Sequence, residues 1–160
     1  LKEYLKLKKV YGCDINSTAI KYCRENYKDT SFEICSSEKL KYKNKSFDLI
    51  TNVESFHCYE NKRNFFKEAA RVLKNNGYLL MADINLDDIL SDNSFKKFFK
   101  VVNVFDITPN VAFACKHNIE NFSKNINNEE IKNWLVSLCH KKFDAYTRYD
   151  SFFIIHLKKI

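Results

Sequence analysis

Apolar and polar positions along this chain follow two periods in turn, one suited to strands and one to helices. Residues 10–15 (VYGCDI) form a short β-branched and aromatic run with an acid, Asp14, near its end, and they read as a strand. Asn16 or Ser17 then offers a helix N-cap, and Ala19, Ile20, Cys23 and Tyr27 recur at helical spacing. Residues 31–35 predict a second strand. Residues 47–53 (FDLITNV) predict a third, apolar enough for burial on both faces. Over residues 61–74, Phe65, Phe66, Ala69, Ala70, Val72 and Leu73 fall on one helical face. Asn75, Asn76 and Gly77 tolerate the left-handed conformation and are expected to stop that helix. A fourth strand is expected over 77–84 (GYLLMADI), a fifth over 100–107 before the single proline, Pro109, a helix over 129–139, and a last strand over 151–157 (SFFIIHL).

Strands alternating with helices predict an α/β fold with a mainly parallel sheet. The 160 residues show no repeat, no low-complexity tract and no linker, so residues 1–160 are expected to form one domain. Ligands of such sheets sit beyond the carboxyl ends of the strands. The positions to weigh are therefore Asp14, Ser36 to Glu38, Asn52 to His57, and Asp83.

Composition narrows the chemistry. Two isolated glycines, Gly12 and Gly77, cannot build a dinucleotide-type or P-loop phosphate cradle. The formal charge is +7, yet only four of the 27 basic residues are arginine, and 18 asparagines accompany the lysines. That pattern reads as compositional drift and argues against nucleic-acid binding. Six cysteines show no CxxC spacing. Neither Cys115 with His117 nor Cys139 with His140 has the ligand spacing of a metal site, so no metal is expected and the cysteines read as scattered buried thiols. No run of 18 apolar residues and no signal-like segment is present in the sequence, which predicts a cytoplasmic protein without a transmembrane segment.

At the strand ends the sequence resembles class I S-adenosylmethionine (SAM)-dependent methyltransferases. VYGCDINSTAIKYC (10–23) resembles that family's second strand, whose acid holds the cofactor ribose. SFEICSSEKLKYKNKSFDLITNVES (31–55) resembles the adenine-side segment and the fourth strand, and RVLKNNGYLLMADI (71–84) resembles the helix-to-fifth-strand passage. ESFHCY (54–59) and DITPNV (106–111) are similar to the branch that holds the phthiotriol/phenolphthiocerol dimycocerosate methyltransferases. The resemblance implies a Rossmann-like sheet with helices on both faces and an antiparallel last strand. It implies SAM as cofactor. The family's first strand and its glycine loop have no counterpart, so the chain is expected to be either a truncated fragment or a degenerate copy; the absence of an initiating methionine favours the first.

The resemblance assigns roles to the strand-end residues. Asp14 would accept hydrogen bonds from the ribose hydroxyls, and Ile15 and Asn16 would flank the adenine. Ser36 would bind the adenine amino group where relatives place an aspartate, Ser37 would be the small residue beneath the ring, and Glu38 would partly compensate for the missing charge. Asn52 and Val53 would lie near the sulfonium, and Glu54 would balance its charge or orient the acceptor. His57 is the candidate general base, because an alcohol acceptor must lose a proton and imidazole titrates near neutrality. His117, His140 and His156 read as structural, Phe65 and Phe66 as core, and Trp134 as a cover for the acceptor side. The expected activity is methyl transfer to a small-molecule or lipid-like acceptor, at a hydroxyl oxygen. The alternative is a non-catalytic pseudo-methyltransferase that binds a partner protein over the edge left by the missing strand.

Overall fold

Two short parallel strands, β1 (Val10–Asp14) and β2 (Thr30–Ile34), pair so that Asp14 and Ile34 end side by side. Helix α1 (Ser17–Asn26) returns the chain between them, and Asn16 is its N-cap, accepting from the N–H groups of Thr18 and Ala19. The structure, a computed structural model, describes residues 7–84, 93–124, 126–134, 136–137 and 151–160. A second sheet holds β3 (Phe47–Val53), β4 (Leu73–Ile84), β5 (Phe99–Asp106) and β6 (Phe152–Lys159) in the order β3-β4-β6-β5. β3 and β4 are parallel. β6 lies between β4 and β5 and runs against both, as expected for the last strand. The α/β class holds, but the described strands form two ladders because none of them lies between β1 and β3.

Aromatic rings bridge that gap. Tyr11 of β1 meets Phe47 of β3 edge-on at 5.4 Å, and Tyr42 packs against both. The Tyr42 hydroxyl donates to the Gly12 carbonyl at 3.2 Å.

Helix α2 (Lys62–Val72) lays Phe65, Phe66, Ala69 and Ala70 on one face of the larger sheet, against Leu79, Met81, Ile155 and Leu157. This alternation of buried residues along β4 leaves Tyr78, Leu80 and Ala82 on the other face, half-exposed or exposed. Phe56, Phe95 and Phe99 complete the core, and burying an aromatic of this size contributes on the order of 2 kcal/mol or more.

Three boundaries differ from the sequence reading. The helix ends at Val72, and β4 begins at once with Leu73. Asn76, not Gly77, takes the left-handed conformation (φ 62°). Gly77 is required for space, because a Cβ there would lie 3.0 Å from the Lys74 carbonyl oxygen and 3.2 Å from that of Asp48. After β5 the chain forms a helix, α3 (Thr108–Lys124), where the sequence reading saw only a proline. Pro109 sits in its first turn, where its missing N–H is not needed. Residues 129–134 and 136–137 are helical as expected, and the rest of that segment, with His140 and Cys139, lies outside the described residues. Of the cysteines, Cys35 is buried and Cys58 is exposed, so the picture of uniformly buried thiols is corrected.

Candidate active site

The chemistry gathers where β3 and β4 end. Val53 is paired with Ala82, and the Glu54 N–H extends that ladder by donating to the Ala82 carbonyl at 2.9 Å. Glu54 then adopts φ 51°, a left-handed conformation that costs a non-glycine residue about 1 kcal/mol or more. This reversal wraps residues 54–57 around Asp83, the next residue of β4.

Asp83 is fully buried (0% exposed). One carboxylate oxygen, Oδ2, accepts the N–H groups of Ser55 (2.9 Å) and Phe56 (2.7 Å). The other, Oδ1, accepts the N–H of Ile84 (2.8 Å) and lies 2.6 Å from His57 Nδ1. Three N–H donors already converge on this group, so it acts as an acceptor and the imidazole as donor. In the neutral ring this places the proton on Nδ1, and Nε2 has no hydrogen-bond partner among the described residues. The His57 side chain is 39% exposed, so its ring links a buried charge to solvent. A buried carboxylate without such partners would be strongly destabilising; four hydrogen bonds offset its desolvation.

Beside it lies a second polar set. Asn52 Nδ2 donates to the Ser55 hydroxyl (2.9 Å) and the Tyr59 hydroxyl (2.6 Å), and those hydroxyls are 3.0 Å apart. Asn52 is buried, and its Oδ1 has no hydrogen-bond partner among the described residues. Glu54 is held above the usual carboxylate range by burial and then by the neighbouring Asp83 charge, partly offset by His57.

The end of β1 is a more open site. Asp14 Oδ1 accepts the Asn16 N–H at 2.8 Å, which leaves Oδ2 open among the described residues. The Asn16 side-chain oxygen is committed to capping α1, so only its Nδ2 is left for a ligand. Ile15 is 74% exposed directly after Asp14, and Val53 is 62% exposed at the end of β3. Ser36 forms a turn in which its hydroxyl accepts the Glu38 N–H at 3.1 Å, with Ser37 inside that turn. Glu38 points elsewhere: its two oxygens accept the N–H groups of Glu60 (3.1 Å) and Asn61 (3.2 Å). It thereby ties the β2 turn to the start of α2.

The structure thus brings Glu54, His57 and Asp83 together and sets Asn52 beside them. No hydrogen bond among the described residues joins that group to Asp14, Ile15 and Asn16. The sequence reading weighed Asp83 and Ser55 only as strand-end positions, without a chemical role, and gave none to Tyr59. The available signal was an acid in an otherwise apolar strand, which is seldom buried without partners. Phe65 and Phe66 are core, and the His156 ring packs against Tyr78 at a tilt of 45° within the sheet. Trp134 is exposed. Among the described residues no helix is long and apolar enough to cross a membrane.

The "Methyltransferase domain" family matches residues 1–81. The phthiotriol/phenolphthiotriol dimycocerosates methyltransferase of Mycobacterium tuberculosis is 36% identical over 75 residues, covering 46% of this chain and 28% of the relative. The fatty-acid O-methyltransferase of Mycolicibacterium smegmatis is 38% identical over 74 residues, covering 45% and 27%. The chain therefore aligns with little more than a quarter of these curated relatives. Among solved structures, Haemonchus contortus phosphoethanolamine N-methyltransferase 2 in complex with S-adenosyl-L-methionine superposes with a TM-score of 0.75 at 16% identity, covering 99% of this chain and 45% of that one. Geranyl diphosphate C-methyltransferase from Streptomyces coelicolor A3(2) does so with a TM-score of 0.68 at 12% identity, covering 99% and 65%.

Proposed function

Because the chain belongs to the methyltransferase domain family, we propose that it carries out SAM-dependent methyl transfer to the hydroxyl oxygen of a small-molecule or lipid-like acceptor. The observation that carries this reading is His57 Nδ1 at 2.6 Å from the buried Asp83 carboxylate, with Nε2 left free at the strand ends.

The residues at the other strand ends fit the adenosyl part of the cofactor in chemical kind. Asp14 Oδ2 would accept from a ribose hydroxyl, and Ile15 offers an exposed apolar surface to the adenine. Asn16 Nδ2 and the Ser36 hydroxyl would supply polar contacts, with Ser37 the small residue beneath the ring. Glu38 would act by holding the turn in place. The unpartnered Asn52 Oδ1 suits an ammonium donor, and Val53 would pack near the sulfonium. When bound, the cofactor supplies an electrophilic methyl group. The protein's share is then to hold the acceptor in line and to take its proton on His57 Nε2, while Asp83 fixes the ring's tautomer and angle.

Two variants test this. Asp14→Ala is expected to weaken SAM binding at least tenfold by calorimetry, and unchanged affinity would sink the ribose assignment. His57→Gln is expected to lower the rate of S-adenosylhomocysteine formation about 100-fold with a long-chain diol while leaving the SAM dissociation constant within twofold. A fall in both, or in neither, would remove His57 as the base. A second reading, a non-catalytic interaction protein, draws support from the β1 and β3 edges, which no strand pairs with each other among the described strands. It predicts no SAM binding in the same calorimetric experiment.

A further inference from the structure

We propose that the turn over residues 54–57 selects a hydroxyl acceptor against a carboxylate acceptor, and that Glu54 is the residue setting that selection. This inference rests on the acceptor site lying at His57.

The first argument is charge. Glu54 opens the turn that carries His57, its N–H bound to the Ala82 carbonyl next to Asp83, and the charged groups that act on it are Asp83 and His57. Lys62, the first residue of α2, has its ammonium over the Phe56 ring at 5.3 Å. An acceptor bound at Nε2 would lie in the field of the exposed Glu54 carboxylate and the buried Asp83 carboxylate, with the Lys62 ammonium held at the Phe56 ring. A third negative charge entering that field is repelled, and the low local dielectric around Asp83 strengthens the repulsion. A neutral hydroxyl pays no such penalty.

The second argument is proton chemistry. A carboxylate acceptor has already lost its proton at neutral pH, so a base held by a buried acid does nothing for it. A hydroxyl needs that base. Its oxygen forms a bond to the methyl carbon as the carbon–sulfur bond breaks, the sulfur keeps the electron pair, and the hydroxyl proton passes to His57 Nε2 and then to water.

The third argument is strain. Glu54 holds φ 51°, where glycine or asparagine would rest more easily. That strained residue is the first of the turn that carries His57.

The test is ligand titration of the 160-residue chain, followed by NMR on the His57 ring Cε1–H signal, with S-adenosylhomocysteine present. The probes are 1,2-octanediol and octanoate. The diol is expected to shift the signal saturably, and octanoate to bind at least tenfold more weakly. In Glu54→Gln the gap should close to within about threefold through a gain in octanoate binding, and Glu54→Asp should keep most of it. Thermal melts confirm that both variants fold. Octanoate binding as well as the diol in the wild type would overturn the inference, as would a ratio unmoved by Glu54→Gln. If neither probe moves the His57 signal, the acceptor site is not at His57, and both this inference and the reading beneath it fall.

Discussion

Asp83 shows how much one side chain can organise. It gives no surface to solvent, yet it caps the turn after β3 through two N–H groups and fixes the His57 ring through a third contact. Asp83→Asn keeps the shape but can accept through one oxygen only, so at least one donor loses its partner. The expected cost is about 2–3 kcal/mol of stability by urea denaturation. A separate signature marks the positioning role. In the wild type, 15N shifts of the His57 ring should report a single Nδ1–H tautomer, and in Asp83→Asn both tautomers should be populated. An unchanged, single Nδ1–H tautomer in the variant would mean that something other than Asp83 orients the ring. At this scale the sequence carried local facts well. Asp14, Asn16 and Ser36 act within three residues of themselves, and their turn and cap chemistry is written in residue type. The His57–Asp83 contact spans 26 positions and depends on strands β3 and β4 being neighbours, which periodicity cannot supply.

Between elements, Arg71 is the clamp that seats the long connection from β2 to β3. Its guanidinium donates to the carbonyls of Leu40 and Tyr42, to Asn44 Oδ1, and to both oxygens of Glu68, which in turn accepts the Leu40 N–H. Seating that loop is what lets Tyr42 reach Gly12 on β1. Arg71→Ala should therefore cost about 2 kcal/mol in urea melts at neutral pH. The effect should also depend on pH. Hydrogen bonds from Arg71 are the main cause holding the Glu68 carboxyl below its ordinary range. A folded-state pKa below the unfolded one makes the contribution full above the ordinary glutamate range and lost as pH falls through the folded value. The difference between wild type and Arg71→Ala should accordingly shrink toward pH 3, and a difference that stays constant would mean the clamp acts through packing alone. All six strands and helices α1 and α2 were legible because each shows its own period or cap. Helix α3 was not. Its start is set by Asp106 and Pro109, which read as punctuation until the Thr108 N–H is seen bound to Asp106.

Across the whole molecule, burial is unevenly shared, and this sets the order in which the fold should open. The described core lies on the larger sheet, where Phe66, Leu79, Met81, Ile155 and Leu157 are essentially sealed. The β1–α1–β2 unit buries only Ile20 and Cys35 among its apolar residues and meets the larger sheet through the rings of Tyr11, Tyr42 and Phe47. Regions with few buried contacts open first. Amides of β1 and β2 should exchange through an opening at least about 2 kcal/mol cheaper than that of Leu79, Met81 and Ile155. Candidate cofactor residues lie on both parts, Asp14 on the weak one and Asn52 on the strong one. A ligand spanning them binds only when the weak unit is docked, so it should raise β1 and β2 protection selectively, by an amount set by its concentration relative to its dissociation constant. Hydrogen exchange with and without S-adenosylhomocysteine reads both effects at once. Equal protection in the two parts would refute the two-tier order. Selective protection of β3 alone would mean that Asp14 makes no contact with the ligand, whatever happens at His57.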